Sequence, residues 1–182
     1  MGGIVRRVWG ATARGALALV VVAAGCALGA VVGQGAASAG AVPACRATQL
    51  RVSLGRPNGT AGTTYYPIVF TDTRGRCALW GVPRVQPVGS GRRPVGPPAS
   101  NDSVGRMAVR HVVARGQSVS APLGVTDTGN YPSSRCAARV VLGVEIALTG
   151  FVPWTYRPLR TTVCTRLAST HVQLLVAGST GV

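Results

Sequence analysis

No lysine occurs anywhere in the chain, and the acids number only four: Asp72, Asp102, Asp127 and Glu145. All nineteen basic residues are therefore arginine, and the formal net charge is +15. Histidine appears twice, at 111 and 171, and aromatic residues make up 5% of the chain. These scarcities exclude several function classes. There is no H-E-x-x-H, P-loop, G-x-S-x-G, C-x-x-C or dinucleotide fingerprint, so the common metal, phosphate and nucleophile-elbow chemistries have no signature here. The few aromatics argue against a base-stacking platform for single-stranded nucleic acid. No long amphipathic helix is visible either, because Gly and Pro interrupt the chain too often.

The N-terminal part reads as a targeting segment, outside the fold. Arg6, Arg7 and Arg14 form a basic start, residues 15–32 carry no charge, and Ala37-Ser38-Ala39 offers small residues where a signal peptidase needs them. Cleavage is expected after Ala39, leaving residues 40–182 as one domain. Two alternatives stand beside this. Val22-Ala23-Ala24-Gly25-Cys26 is a permissive lipobox, so Cys26 is a candidate for lipidation. An uncharged stretch of this length is also just long enough to remain as a membrane anchor. Secretion is the leading expectation, and attachment at the outer face of the cytoplasmic membrane the alternative. The dominance of Ala, Gly, Val and Arg, whose codons are rich in G and C, points to a high-GC genome such as an actinobacterium's. Codon bias accounts for Arg in place of Lys but not for the missing acids, so the charge imbalance belongs to the product.

Five cysteines are odd in number, and export resolves the parity: Cys26 leaves or is lipidated, and Cys45, Cys77, Cys136 and Cys164 remain. Four cysteines in an exported chain read as two disulfides. Three pairings are open. Cys45–Cys77 and Cys136–Cys164 are favoured, since each would staple neighbouring strands within one half of the domain. A zinc site of four thiolates is disfavoured by the absence of close C-x-x-C spacing. No metal or cofactor is expected.

Short β-branched runs lie between turn signals, as in a sandwich or barrel. Strands are expected at 50–54, 65–71, 77–80, 84–88, 107–114, 117–125, 140–148, 161–164 and 171–176. Pro87 argues for an edge position at 84–88. Residues 89–105 read as an exposed excursion of Gly, Pro, Ser and Arg, and Gly129-Asn130-Tyr131-Pro132 as a turn. The expected fold is all-β, an antiparallel immunoglobulin-like sandwich stapled by two disulfides.

A first Cys stands before an alternating strand, and Ala61-Gly62-Thr63 leads into Tyr66-Pro67-Ile68-Val69-Phe70-Thr71-Asp72. Cys77-Ala78-Leu79-Trp80-Gly81-Val82-Pro83 follows, then a late Cys, an apolar strand and a final Cys. This order resembles the actinobacterial exported family catalogued as domain of unknown function 4232. The resemblance runs over roughly residues 45–178, and its most specific part is the C-x-L-x-G-x-P stretch at 77–83. It implies a secreted or lipoprotein β-sandwich, and it implies no reaction and no site residues.

His111 and His171 read as strand residues, with general base or metal ligand as the functional alternative. Asp72 and Asp127 sit at turn positions, and Asp102 in the excursion. A Ser–His–Asp triad assembled from separate strands would make the protein a hydrolase of cell-envelope material; this is the alternative to a non-enzymatic binding domain. The positive signal is arginine. Loss of residues 1–39 removes three arginines and no acid, so the exported domain carries +12. Candidate anion-binding residues are Arg92 and Arg93 in the excursion and Arg74 and Arg76 around a tight turn, because guanidinium matches carboxylate and phosphate with a planar fork. Arg51 and Arg84, on regular strands, read as bulk charge. The expected partners are an anionic envelope polymer, a lipid surface or an acidic protein; nucleic acid is disfavoured by export.

The segment anatomy makes one prediction directly. Intact mass of the protein recovered from culture medium should give Gly40 as the first residue; a lipid-bearing Cys26 terminus or an intact Met1 would overturn it.

Overall fold

Close-set turns cut the β-forming runs into twelve strands within residues 40–181, the part that the computed structural model describes. They are β1 (Leu50–Leu54), β2 (Asn58–Thr60), β3 (Thr63–Asp72), β4 (Cys77–Leu79), β5 (Arg84–Val88), β6 (Ser100–Asn101), β7 (His111–Val113), β8 (Ser118–Thr126), β9 (Ala138–Leu148), β10 (Val152–Cys164), β11 (Thr170–Val172) and β12 (Val176–Ala177), with one short helix, α1 (Ser133–Cys136). The expected segment 1–39, with Cys26 and the apolar stretch 15–32, lies outside the described residues. Among the described residues no helix is long and apolar enough to cross a membrane.

The strands form three sheets. The largest runs β1-β3-β8-β11-β6, with β2 also on β3 and β12 also on β8; the second is β10-β9-β5; the third is β4-β7. One buried cluster draws on all three. It includes Ile68 and Phe70 of β3, Leu123 of β8, Ile146 and Leu148 of β9, and Leu79 of β4. The period of two accounts for this: on β9, Val144, Ile146 and Leu148 point inward, and Gly143, Glu145 and Ala147 take the opposite face.

Prolines shape the large sheet. Pro67 of β3 and Pro122 of β8 are directly opposite each other. Proline cannot donate, so two can face each other only where neither is asked to donate across the pair. Each then lacks its donor toward the strand on its other side, and those strands break there. Beside Pro67, β1 ends at Leu54 opposite Ile68, and β2 resumes at Asn58 opposite Tyr65. Beside Pro122, β11 ends at Val172 opposite Leu123, and β12 resumes at Val176 opposite Ser120. The carbonyls of both prolines still accept, from Gly55 N at 2.8 Å and from Gln173 N at 3.3 Å.

The structure amends several expectations. The strand expected at 171–176 is two strands separated by that break. The strand at 107–114 shrinks to His111–Val113. The strand at 161–164 is the end of the thirteen-residue β10, whose Pro153 and Pro158 hid it; register shifts occur beside both. The pairing is not wholly antiparallel, since β6 and β11 run parallel. The excursion 89–105 is exposed only in part: Ser103 is buried, Ser100–Asn101 forms β6, and the stretch up to Ala99 is pinned to β5 as described below. Strands 50–54 and 84–88 stand as expected, with β5 at the edge of its sheet.

Both disulfides join the favoured partners. Cys45–Cys77 ties the N-terminal segment to the start of β4, where Ala44 also bridges Ala78. Cys136–Cys164 ties the end of α1 to the end of β10 and so closes the open end of the β9–β10 pair. The zinc reading of these four thiolates falls away, as every sulfur is bonded to another. Each bridge closes a loop of about 30 residues, worth about 3–4 kcal/mol in the chain-entropy model. Cys136→Ser/Cys164→Ser should therefore lose about that much stability by urea denaturation, and non-reducing peptide mapping should recover only the 45–77 and 136–164 pairs. A 45–164 linkage, or an unchanged urea midpoint, would contradict this account.

Candidate anion-binding groove

The outward face of β9 reads Gly143, Glu145, Ala147, one carboxylate between two of the smallest residues. That pattern leaves room for neighbours to reach across the central strand. On one side Gln86 of β5 is opposite Glu145 and Arg84 is opposite Ala147; on the other, Tyr156 of β10 is opposite Glu145. Arg84 extends over Ala147 and stacks on Trp154 of β10, its guanidinium carbon 5.1 Å from the ring centre. Tyr156 lies across Gly143. A Cβ there would sit 2.3 Å from the tyrosine ring, so only glycine permits this placement. The Tyr156 hydroxyl donates to the Leu142 carbonyl at 3.0 Å, which fixes the ring.

Arg92 arrives from the excursion. Its guanidinium stacks 4.9 Å from the Tyr156 ring centre, and its Nε lies 3.9 Å from Glu145 Oε1. Arg92 has a left-handed backbone, φ 57°, which costs a non-glycine residue about 1–2 kcal/mol. The excursion holds it there by running along the free edge of β5: Val95 N donates to the Pro87 carbonyl and Ala99 N to that of Val85, each at 2.9 Å, and Gln86 Nε2 donates to the Gly96 carbonyl at 3.2 Å. An edge strand that would otherwise invite another chain is thus covered from within.

Between the excursion and this face is a groove of about 420 Å³, lined by Arg84, Arg92, Glu145, Trp154, Pro94 and Pro98 among others. Two guanidinium groups and one carboxylate leave it with one net positive charge. Each arginine is aligned by an aromatic ring, an attraction worth about 0.5–1 kcal/mol at an exposed site. The Arg92–Glu145 contact is long and its arginine largely exposed, so it holds weakly. Oxygens of a carboxylate or phosphate could take the fork of Arg84 and replace Glu145 at Arg92 with shorter, charge-assisted bonds.

Of the expected anion-binding residues, the structure brings only Arg92 into this groove. Arg93 follows it and is exposed, outside the groove lining. Arg74 and Arg76 are exposed on the turn between β3 and β4. Asp72 builds that turn, Oδ1 accepting from Arg74 N at 2.9 Å and Gly75 N at 3.2 Å, while its fully buried Oδ2 has no hydrogen-bond partner among the described residues. Arg84, read from sequence as bulk charge, lies in the groove lining and supplies one of its two positive charges. Sequence reasoning also missed Glu145, Trp154 and Tyr156. The available signal was alternation, since 84/86, 143/145/147 and 154/156 each fall on one face of their strand.

The histidines and remaining acids also take definite places. Asp127 caps a turn through Gly129 N at 2.9 Å, as expected. Asp102 is more than an excursion residue: its Oδ2 is 3.7 Å from Nε2 of His171, whose ring packs over Gly124 and edge-on to Tyr65. Ser100 Oγ donates to Asp102 Oδ1 at 3.3 Å. Ser, Asp and His therefore meet, but in an order unlike a triad. Both partners address the carboxylate, whereas a nucleophilic serine must address the imidazole. Among the described residues no group of three His, Cys, Asp or Glu side chains is arranged to hold a metal ion.

A family model described as "Domain of unknown function (DUF4232)" matches residues 45–174, a span that contains both disulfides and every residue of the groove. No curated protein and no solved structure matches the chain. On that family match, the chain belongs to the DUF4232 family.

Proposed function

We propose that this chain is exported, sheds residues 1–39, and works outside the cytoplasmic membrane as a non-enzymatic domain that binds an anionic envelope polymer through the groove. The observation that carries the reading is the pair of arginine–aromatic stacks, Arg84 on Trp154 and Arg92 on Tyr156, straddling Glu145. Support for export comes from the basic start, the apolar stretch and Ala37-Ser38-Ala39 in the sequence, and from disulfides, which persist in oxidising compartments. The composition supports a high-GC, actinobacterial source. For the architecture we propose an immunoglobulin-like sandwich, its large sheet and its three-stranded sheet facing each other across the common core. The charge of +12 adds a second effect, drawing polyanions in from a distance.

Two double variants separate site from bulk charge, as each removes two positive charges. Arg84→Gln/Arg92→Gln alters the groove; Arg74→Gln/Arg76→Gln alters the β3–β4 turn. Binding to immobilised poly(glycerol phosphate) should weaken about tenfold or more for the groove pair, the scale of a lost charged hydrogen bond, and much less for the turn pair. Both effects should shrink as salt shortens the reach of the field. Equal weakening by the two doubles would leave only bulk charge and reject the groove.

A further inference from the structure

A second feature of the surface stands apart from the groove. The chain between β6 and β7 leaves and returns at neighbouring points on one backbone stretch. At the outgoing end, Asp102 N donates to the Val172 carbonyl at 2.9 Å. Ser103 is buried, its N–H donates to Asn101 Oδ1 at 2.8 Å, and its Oγ accepts from Leu174 N at 2.9 Å. At the returning end, His111 Nε2 donates to the Leu175 carbonyl at 2.9 Å, the role that a carbonyl partner requires. Residues 104–110 are thus a projecting loop with both feet fixed. Its first turn is tight: Arg106 N donates to the Ser103 carbonyl at 3.0 Å, and Gly105 takes φ 80° at the corner.

What this fixed loop presents is apolar. Val104 is 83%, Met107 90% and Val109 62% exposed, the three most exposed large apolar residues among those described. Single exposed apolar residues are ordinary, but three on one anchored loop need a partner that removes them from water. Arg106 and Arg110 interleave with them, and no acid occurs between Asp102 and Asp127. Arg110 also stacks on the half-exposed Trp80, 5.2 Å from its ring centre, and bonds the Val42 carbonyl.

The charge pattern selects the occupant. A second copy would bring Arg106 and Arg110 against their own kind. A membrane surface of anionic lipid satisfies both chemistries at once, taking the apolar tips into the acyl boundary and the guanidinium groups at the phosphates. The amphipathic ring of Trp80 suits the headgroup level. We propose that residues 104–110 dock on an anionic lipid surface, with Val104, Met107 and Val109 inserted and Arg106 and Arg110 on the headgroups. The proposal rests on the export reading only for where the loop meets a bilayer, and it is independent of the groove.

Co-sedimentation of the exported protein, as recovered from the producing cell, with phosphatidylglycerol-containing and pure phosphatidylcholine vesicles tests it. The native protein should sediment with the former and much less with the latter. Val104→Ser/Met107→Ser/Val109→Ser should lower that partition about tenfold or more. Its thermal midpoint and its affinity for poly(glycerol phosphate) should not change, because the replaced side chains face water. Arg106→Gln/Arg110→Gln should weaken vesicle binding more than the charge-matched Arg74→Gln/Arg76→Gln. Vesicle binding by the triple variant equal to that of the native protein overturns the proposal, as does no preference for anionic vesicles. Sedimentation velocity covers the other occupant: a native dimer that the triple variant abolishes would make the loop a contact between copies and equally overturn the lipid assignment.

Discussion

Two prolines meeting across the centre of the large sheet set the layout of everything around them. Pro67 and Pro122 cannot donate to the strands on their outer sides, so neither neighbour can run through. β1 gives way to β2 on one side and β11 to β12 on the other, each break falling beside its proline. The break after β11 matters most for the surface. It frees Leu174 N and the Leu175 carbonyl from the ladder, and these are the groups that hold Ser103 and His111. A missing backbone donor in β8 thus leads, by way of a broken strand, to the anchorage of the loop at 104–110.

The second sheet shows how one strand can serve two surfaces. The inward residues of β9 belong to the common core, and on the outward face Glu145 lines the groove. Small side chains at Gly143 and Ala147 let long ones from flanking strands lie flat over them. Of the groove's charged and aromatic residues, Arg84, Glu145 and Trp154 sit on strands of this sheet; Arg92, with Pro94 and Pro98, comes from the excursion, which is itself bonded along β5. Val is the commonest core residue and Leu the next, with Phe70 and Phe151 the only phenylalanines. A modest core of this kind gains from covalent closure, and the two disulfides secure the segments that the sheets hold least: the N-terminal stretch at Cys45 and the far end of the β9–β10 pair.

Local features of the fold were legible in the sequence. Alternation gave β1 and β5 their bounds, Pro87 placed β5 at an edge, and cysteine parity gave both bridges. β10 was not legible, because Pro153 and Pro158 look like strand breakers and become tolerable only where the register shifts beside them. Met107 to Arg110 has the composition of a strand, yet no partner strand pairs with it among the described residues; composition reports capacity to pair, not the presence of a partner. The groove was legible only as a surplus of arginine. Its members come from β5, the excursion, β9 and β10, and what joins them is the order of strands in the sheet, which no local pattern encodes. For the same reason Arg84 looked equivalent to Arg51 until its cross-strand neighbour was seen to be an alanine and the residue beyond a tryptophan.

Ser103 and His111 grip main-chain groups rather than side chains. Between them Val104, Met107 and Val109 touch water, and Arg110 is the residue that reaches back, over Trp80 and to the Val42 carbonyl. This makes residues 104–109 a replaceable cassette. Sequence drift there, including changes of length, can alter what the surface recognises at little cost to folding, provided that the serine and the histidine stay. The core and the groove have no such latitude, since Gly143 admits no side chain and Pro122 holds the break open. Within this one domain, then, the loop can diversify quickly on a scaffold that must change slowly.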